Sequence, residues 1–215
     1  MKQVVLFFAA ILINIASFAQ VEENSQYIEI ADTKKKKANS EIETFTSGKS
    51  HHGFMIGFDF RYGIVDDKTA VLSTFKVAYI MNHYFEIGFA GVGLYSHLDV
   101  ENNSFFDGPA LTGGYGGIYL NPIISPNNKV HVAFPTLIGA GAVGYTNWRT
   151  SFDEDEWEPI FVIEPGLALE FNIAKFFRIE LLAQYRLSSK IKLEDSGIER
   201  INGFSGGIGF KFGRF

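Results

Sequence analysis

The chain contains no cysteine. That absence excludes disulfides, thiolate metal sites and a cysteine nucleophile, and it removes the lipid-modified Cys that marks a lipoprotein. Charge is also sparse. Asp, Glu, Lys and Arg make up 20% of the 215 residues, with a formal net charge of −5. Loss of Lys2 with the leader described below leaves 18 basic against 24 acidic side chains, or −6. Such a balance offers no basic groove for phosphates and argues against a nucleic-acid partner. The apolar run Val4 to Ile13 is too short to cross ~30 Å of hydrocarbon as a helix. What the chain does have is 22 Phe, 9 Tyr and 22 Gly, a composition closer to membrane strands than to a solvated α/β domain. The length suits one domain with appendages.

Residues 1–19 begin with Lys2, continue through that apolar run and reach Ser17-Phe18-Ala19, where small residues flank a bulky one. This is the layout of a secretory signal peptide, with cleavage expected before Gln20. Residues 20–50 show no sustained periodicity and include the like-charge run Lys34 to Lys37. They are expected to form a flexible N-terminal segment.

The character changes at Gly53. Phe54, Ile56, Phe58, Phe60 and Tyr62 alternate with Met55, Gly57, Asp59 and Arg61, the period of two that marks a strand with one apolar face. The pattern returns in Val71 to Tyr79, Phe85 to Tyr95, Phe161 to Ile173, Phe177 to Leu187 and Phe204 to Phe212. The glycine-rich stretch Ala110 to Leu120 and the apolar stretch Val130 to Tyr145 complete a set of eight. In the first of these the facing of Tyr115 and Tyr119 is left open, and in the second Pro135 suggests a local bulge. Connections at Asn82-His83, Asn121 to Asn128 and Ala174-Lys175 are tight or moderate. The alternate ones near His97, Arg149 and Ser188 are longer, and only the one near Asp66 is brief. An even strand count with this asymmetry describes an all-β, eight-stranded antiparallel up-and-down transmembrane β-barrel over residues 51–215.

Alternation alone leaves open whether the apolar rows face lipid or a ligand pocket, as in a soluble lipocalin-like barrel. The opposite face decides. It is mostly Gly, Ala and Ser, with scattered Asp59, Arg61, Lys76, Glu86, Glu164, Glu170, Arg178, Glu180, Arg186 and Lys211, too few charges for a water-exposed surface. Eight strands enclose a space that side chains fill, so these acids and bases are expected to pair inside and block a large open channel. Tyr79, Tyr84 and Phe212 near the turns, and Tyr62, Tyr95, Tyr145, Trp148, Trp157 and Tyr185 near the loops, suit two membrane interfaces.

The last stretch, Gly203 to Phe215, resembles the C-terminal signature by which outer-membrane β-barrel proteins are recognised for insertion, except that Phe215 is out of step with Phe210 and Phe212. With the leader and the strand pattern, residues from about 53 to 215 resemble the small outer-membrane barrel family typified by the OmpA transmembrane domain and OmpX. The resemblance implies an integral protein of the outer membrane, with periplasmic termini and extracellular longer loops. Its implied partners are outer-membrane lipid and lipopolysaccharide, and the barrel-insertion machinery acting through Gly203 to Phe215. Members of that class include anchors, adhesins and a few lipid-modifying enzymes. The expectation is a non-enzymatic barrel displaying extracellular loops in an envelope-structural, adhesion or binding role. A lipid-modifying hydrolase and a narrow small-solute pore are the alternatives, and the extracellular partner is unspecified.

Motifs for chemistry are weak. Gly139-Ala140-Gly141-Ala142-Val143-Gly144 spells a dinucleotide fingerprint, and Gly203-Phe204-Ser205-Gly206-Gly207 a nucleophile elbow, but each needs a helix next and neither has one. Ser205 is expected to be a small lumen-facing residue. Ser96, His97 and Asp99 are neighbours in sequence, which is not a triad. His51, His52, His83 and His131 belong at the periplasmic side without metal-site spacing, although His51-His52 could hold a metal weakly. The acidic run Asp153 to Glu158 lacks the spaced pattern of a calcium site. No catalytic, cofactor-binding or metal residue is assigned, and no cofactor is expected.

Overall fold

In the computed structural model, residues 51–65, 68–97, 109–147, 157–191 and 199–215 are described. The expected leader, the N-terminal segment and the acidic run up to residue 156 lie outside them. The described residues form nine β-segments: β1 (His52–Val65), β2 (Lys68–Met81), β3 (Phe85–His97), β4 (Pro109–Ile124), β5 (Val130–Ala133), β6 (Thr136–Asn147), β7 (Glu158–Ala174), β8 (Phe177–Ser188) and β9 (Gly203–Gly213). β5 and β6 are two halves of one strand, since both pair with β4 on one side and with β7 on the other. Every neighbour is antiparallel. β1 closes the ring against β9, in register from Met55↔Gly213 to Gly63↔Ser205. The result is an eight-stranded up-and-down barrel without a free sheet edge.

The alternation read from the sequence is the alternation of burial. Phe54 is 70% exposed and Met55 beside it 2%, and β1 repeats exposed-then-buried along all 14 residues. Exposed Phe58, Phe75, Phe89, Phe161, Leu169 and Phe204 belong to an apolar belt around the outside. A continuous apolar surface of this extent is not tolerated in water and requires a hydrocarbon surround. Tyr84 and Phe212 stand exposed at the turn end of the belt, and Tyr62 and Trp157 at the loop end.

Three tight connections, together with residue 51 and the last residues, lie at one end of the barrel. At the first, Asn82 and His83 both take positive φ (50° and 66°), the left-handed geometry that tight hairpins demand. Asn82 is fastened to the start of the barrel: its N–H donates to His51 O (2.9 Å), while His51 N–H donates to Asn82 Oδ1 (3.2 Å). The second turn begins later than expected. Asn121 and Pro122 belong to β4, which runs on to Ile124, because Asn121 keeps the inward parity of Tyr119 and has partners in the lumen. The third turn is Lys175-Phe176.

Pro135 does not make a bulge. The pairings Ala133↔Ala168 and Thr136↔Pro165 belong to one register, so no residue is inserted. The strand is interrupted at Phe134-Pro135 because proline has no N–H to donate. The register shift in the barrel lies instead between Asn172 and Ala174. Tyr115 and Tyr119, left open by the sequence, both point inward and are buried.

Candidate functional site

The barrel interior is the candidate site, and it is built by inward parity. Asp59 and Arg61 follow each other at i, i+2 on β1, as do Arg178 and Glu180 on β8, so each pair must point into the same space. All ten charged residues assigned to the lumen from sequence are buried there, each at most 3% exposed. Five cations (Arg61, Lys76, Arg178, Arg186, Lys211) face five carboxylates (Asp59, Glu86, Glu164, Glu170, Glu180), and their formal charges cancel.

Arg61 organises the loop-side half. Its Nε donates to Asp59 Oδ1 (2.9 Å), Nη1 to Glu164 Oε1 (2.9 Å) and to Ser205 Oγ (3.3 Å), and Nη2 to Thr74 Oγ1 (2.8 Å). Glu164 Oε2 accepts from the Tyr115 hydroxyl at 3.0 Å. Arg186 Nη1 lies 3.8 Å from Glu164 Oε1, while its Nε and Nη2 donate to the carbonyls of Ile201 (2.6 Å) and Ile64 (3.1 Å). That arginine ties the segment before β9 to β1. Above it the lumen turns apolar, with Val65, Leu72, Leu94, Leu111, Val162 and Ile201 all buried in one cluster.

Lys76 joins the two halves. Its Nζ is 3.3 Å from Asp59 Oδ2 and makes a short contact with Glu180 Oε1. In the turn-side half Lys211 Nζ sits among Glu170 Oε1 (2.6 Å), Glu86 Oε2 (2.9 Å) and Glu180 Oε2 (3.3 Å). Asn121 Nδ2 donates to Glu86 Oε2 at 2.8 Å and to Glu170 Oε1 at 3.3 Å. His131 Nε2 is 3.0 Å from Glu170 Oε2. Arg178, 3.5 Å from Glu170, lies with its guanidinium 3.9 Å from the centre of the Phe215 ring. The terminal Phe is therefore out of step with Phe210 and Phe212 because it turns in beneath the lumen as a floor, where the cation meets the face of its ring.

Glycines make room for these long side chains. A Cβ at Gly57 would stand 2.8 Å from Lys76 Cε, and one at Gly209 2.6 Å from Glu180 Cγ. The void that remains among Asp59, Arg61, Thr74, Lys76, Glu164 and Gln184 measures about 10 Å³, the space of roughly one water molecule. Charges this deeply desolvated gain from one another about what they lose by leaving water. The network therefore contributes little net stability while fixing which side chains fill the barrel.

The motifs singled out for chemistry disperse. Gly139 to Gly144 lie within β6 and Gly203 to Gly207 within β9, and in each case the strand itself continues past the motif, to Asn147 and to Gly213. Ser205 is buried in the lumen and accepts from Arg61. Ser96 Oγ donates to Thr69 O at 2.9 Å. Asp99 and the His97 side chain lie outside the described residues. His131 is in the turn-side half but inside the barrel, and His51, His52 and His83 are at the turn-end rim. Among the described residues no three His, Cys, Asp or Glu gather as a metal cage. Sequence reasoning missed the polar partners Asn121, Tyr115, Tyr119 and His131. Inward parity carried from Tyr119 to Asn121 was the available signal for the first.

No protein-family model and no curated protein matches the chain. Among solved structures, Neisserial surface protein A (NspA) aligns at a TM-score of 0.54 with 7% identity, over 78% of this chain and all of that one. The N-terminal β-barrel domain of Pseudomonas aeruginosa OprF aligns at 0.47 with 11% identity, over 74% and 96%. Ail of Yersinia pestis aligns at 0.42 with 17% identity, over 75% and 97%. Ring closure, an apolar exterior and the match to the Neisserial protein agree, and the chain has the fold of the small eight-stranded outer-membrane β-barrels.

Proposed function

We propose that the protein is a non-enzymatic integral barrel of the outer membrane that displays its longer loops outside the cell, in an envelope-structural, adhesive or binding role. The observation that carries this reading is the filled lumen. Among the described residues ten mutually neutralising charges fill the lumen, and the void beside Asp59 and Arg61 is about 10 Å³, too small there for a solute or substrate, so recognition falls to the loop end. Both chain ends of the described barrel lie with the tight turns, which supports a periplasmic placement of the termini, with residues 1–19 acting as the export signal and 20–50 as a periplasmic segment. Outer-membrane lipid and lipopolysaccharide meet the apolar belt, and Gly203 to Phe215 address the insertion machinery.

The test is twofold. In planar bilayers the purified protein gives no steady large conductance, and sustained openings would replace this reading with a pore. On whole cells, deleting residues 98–108, 148–156 or 192–198 one at a time abolishes surface binding of a host-matrix or envelope ligand for at least one loop while the barrel still assembles. If all three deletions leave every such interaction intact, the display role is wrong.

A further inference from the structure

The two ends of the barrel differ in exposed charge. Among the described residues the carboxylates outside the lumen, Glu158 and Glu199, both stand at the loop end. Cations there are engaged, with Lys190 3.8 Å from Glu199 and Arg200 Nη1 donating to Ser188 O at 2.8 Å. The turn end has exposed Lys129, Lys175 and Arg214. Among the described residues no exposed carboxylate lies at that end, and none of the three side chains has a hydrogen-bond or ion-pair partner. Far apart in sequence, they are set side by side by the fold. Asn172 N–H donates to Lys129 O at 2.9 Å, which fastens the β4–β5 turn to β7 just before the turn that holds Lys175. Gly213 N–H donates to Phe176 O at 3.0 Å, so Arg214 follows directly beside that same turn. The cations therefore occupy three successive chain ends along one half of the rim. The other half, from β1 to β3, has His51, His52 and His83 but no lysine or arginine. Burial, and then the charges of His51 and Arg178, hold the His83 ring below its ordinary pKa, so it adds no charge at neutral pH.

We propose that this half of the turn-end rim is a docking surface for an anionic phospholipid of the leaflet it meets. The headgroup phosphate sits among Lys129, Lys175 and Arg214, and the acyl chains run along the apolar belt. Charge and position together select that occupant. Cations with no carboxylate beside them attract an anion, and each Lys or Arg at an anionic lipid surface contributes about fivefold to partition. A free anion would use the charges alone. Here an exposed apolar side chain stands within two residues of every cation: Val130 beside Lys129, Ile173 and Phe176 around Lys175, and Phe212 before Arg214. The surface thus passes directly from a charged rim to hydrocarbon, the profile of a lipid with its headgroup. Lys and Arg suit the border because their stems lie on apolar surface while their charged heads reach the headgroup level. The inference rests on the membrane-spanning reading above, in which the turn end is periplasmic, and adds to it the charge class of the lipid and the sector that holds it.

The test places one fluorophore-labelled cysteine at a time in the full chain: Phe176→Cys in the cationic sector, Tyr84→Cys on the other half of the same rim, and Phe204→Cys at the loop end. Each protein is reconstituted in vesicles of equal parts phosphatidylglycerol and phosphatidylcholine, with bromine on the acyl chains of one lipid or of the other. At Phe176→Cys and low salt, brominated phosphatidylglycerol should quench at least about threefold more than brominated phosphatidylcholine. At the other two positions the lipids should quench alike. Adding Lys129→Gln, Lys175→Gln and Arg214→Gln together should equalise quenching at Phe176→Cys, with heat-modifiable gel mobility showing that the barrel is folded. Salt at about 1 M, where screening acts within ~3 Å, should equalise it without any of those three substitutions. Equal quenching at Phe176→Cys at low salt, a preference that survives both treatments, or the same preference at all three positions overturns the proposal. In each of those cases both lipids still quench, so the membrane-spanning reading stands. Quenching by neither lipid at any position would sink that reading and the proposal with it.

Discussion

Replacing Lys211 with Met isolates the energetic role of the charge network. Lys211 Nζ lies within 3.3 Å of three carboxylates, those of Glu170, Glu86 and Glu180, and the side chain has no access to solvent. Met fills a similar volume, so the change removes a charge with little change in packing. Five buried carboxylates then face four cations. Removing one partner of a buried pair typically costs about 3–5 kcal/mol, because the remaining charge is uncompensated in a low dielectric. The assay is urea unfolding of the barrel in lipid vesicles, followed by tryptophan fluorescence. A second variant, Lys211→Met with Glu86→Gln, restores the balance at four against four. It should recover at least half of the loss, with a coupling energy well outside the ~0.5 kcal/mol scatter of independent sites. If Lys211→Met costs less than ~0.5 kcal/mol, the scale of an ordinary surface change, or if the two substitutions simply add, the lumen is not the coupled network described.

Three further outcomes follow from the geometry. Phe75→Arg, at an exposed position mid-way along β2 and facing the Phe58 ring at 5.1 Å, should destabilise the barrel in vesicles by about 2–4 kcal/mol, the cost of a cation on a lipid-facing strand near mid-bilayer. An equal stability would place that face outside hydrocarbon. Tyr115→Phe removes the hydroxyl that donates to Glu164 Oε2 and should cost about 1–3 kcal/mol in the same unfolding assay, the penalty of an unsatisfied buried acceptor. The depressed pKa of His83 means that below about pH 6.5 the unfolded chain binds more protons than the folded one. Stability conferred by the neutral ring is present above that pH and lost as pH falls toward the folded value. The urea midpoint should drop between pH 7.5 and pH 5 by more in the wild type than in His83→Asn, and an identical drop in both would remove His83 from the pH response.

Much of this was legible in the residues because a strand with two dissimilar faces writes its orientation at every second position. β1, β2, the first half of β3, β7, β8 and β9 carried the alternation, and from them the ten lumen charges followed. Legibility failed where side chains are too small to mark a face. In Ala110 to Leu120 glycine stands on both sides, so parity of Tyr115 and Tyr119 could be settled only by pairing with β3 and β6. Proline misled in two places for the same reason. At Asn121-Pro122 and at Pro135 it reads as a turn or bulge, whereas the pairings on both sides keep one register past each proline, with the ladder interrupted only at Phe134-Pro135. Phe215 shows a different limit. Its departure from the outward parity was visible, but the cause, a cation three strands' length away in sequence at Arg178, is a tertiary contact that no local pattern encodes. Which carboxylate pairs with which base is likewise a property of the closed ring.

The natural absence of cysteine permits the most direct test. Single cysteines at outward Phe58, Phe75, Leu169 and Phe210 and at inward Thr74, Ala168 and Ser205 would be labelled with an environment-sensitive fluorophore, in vesicles containing lipids with quenchers on their acyl chains. Labels at the first four positions should emit at short wavelength and be strongly quenched by the lipid, and labels at the other three should not be. Quenching of the Thr74, Ala168 and Ser205 labels, with the Phe58, Phe75, Leu169 and Phe210 labels shielded, would mean that the apolar rows line the interior and that the protein is no transmembrane barrel.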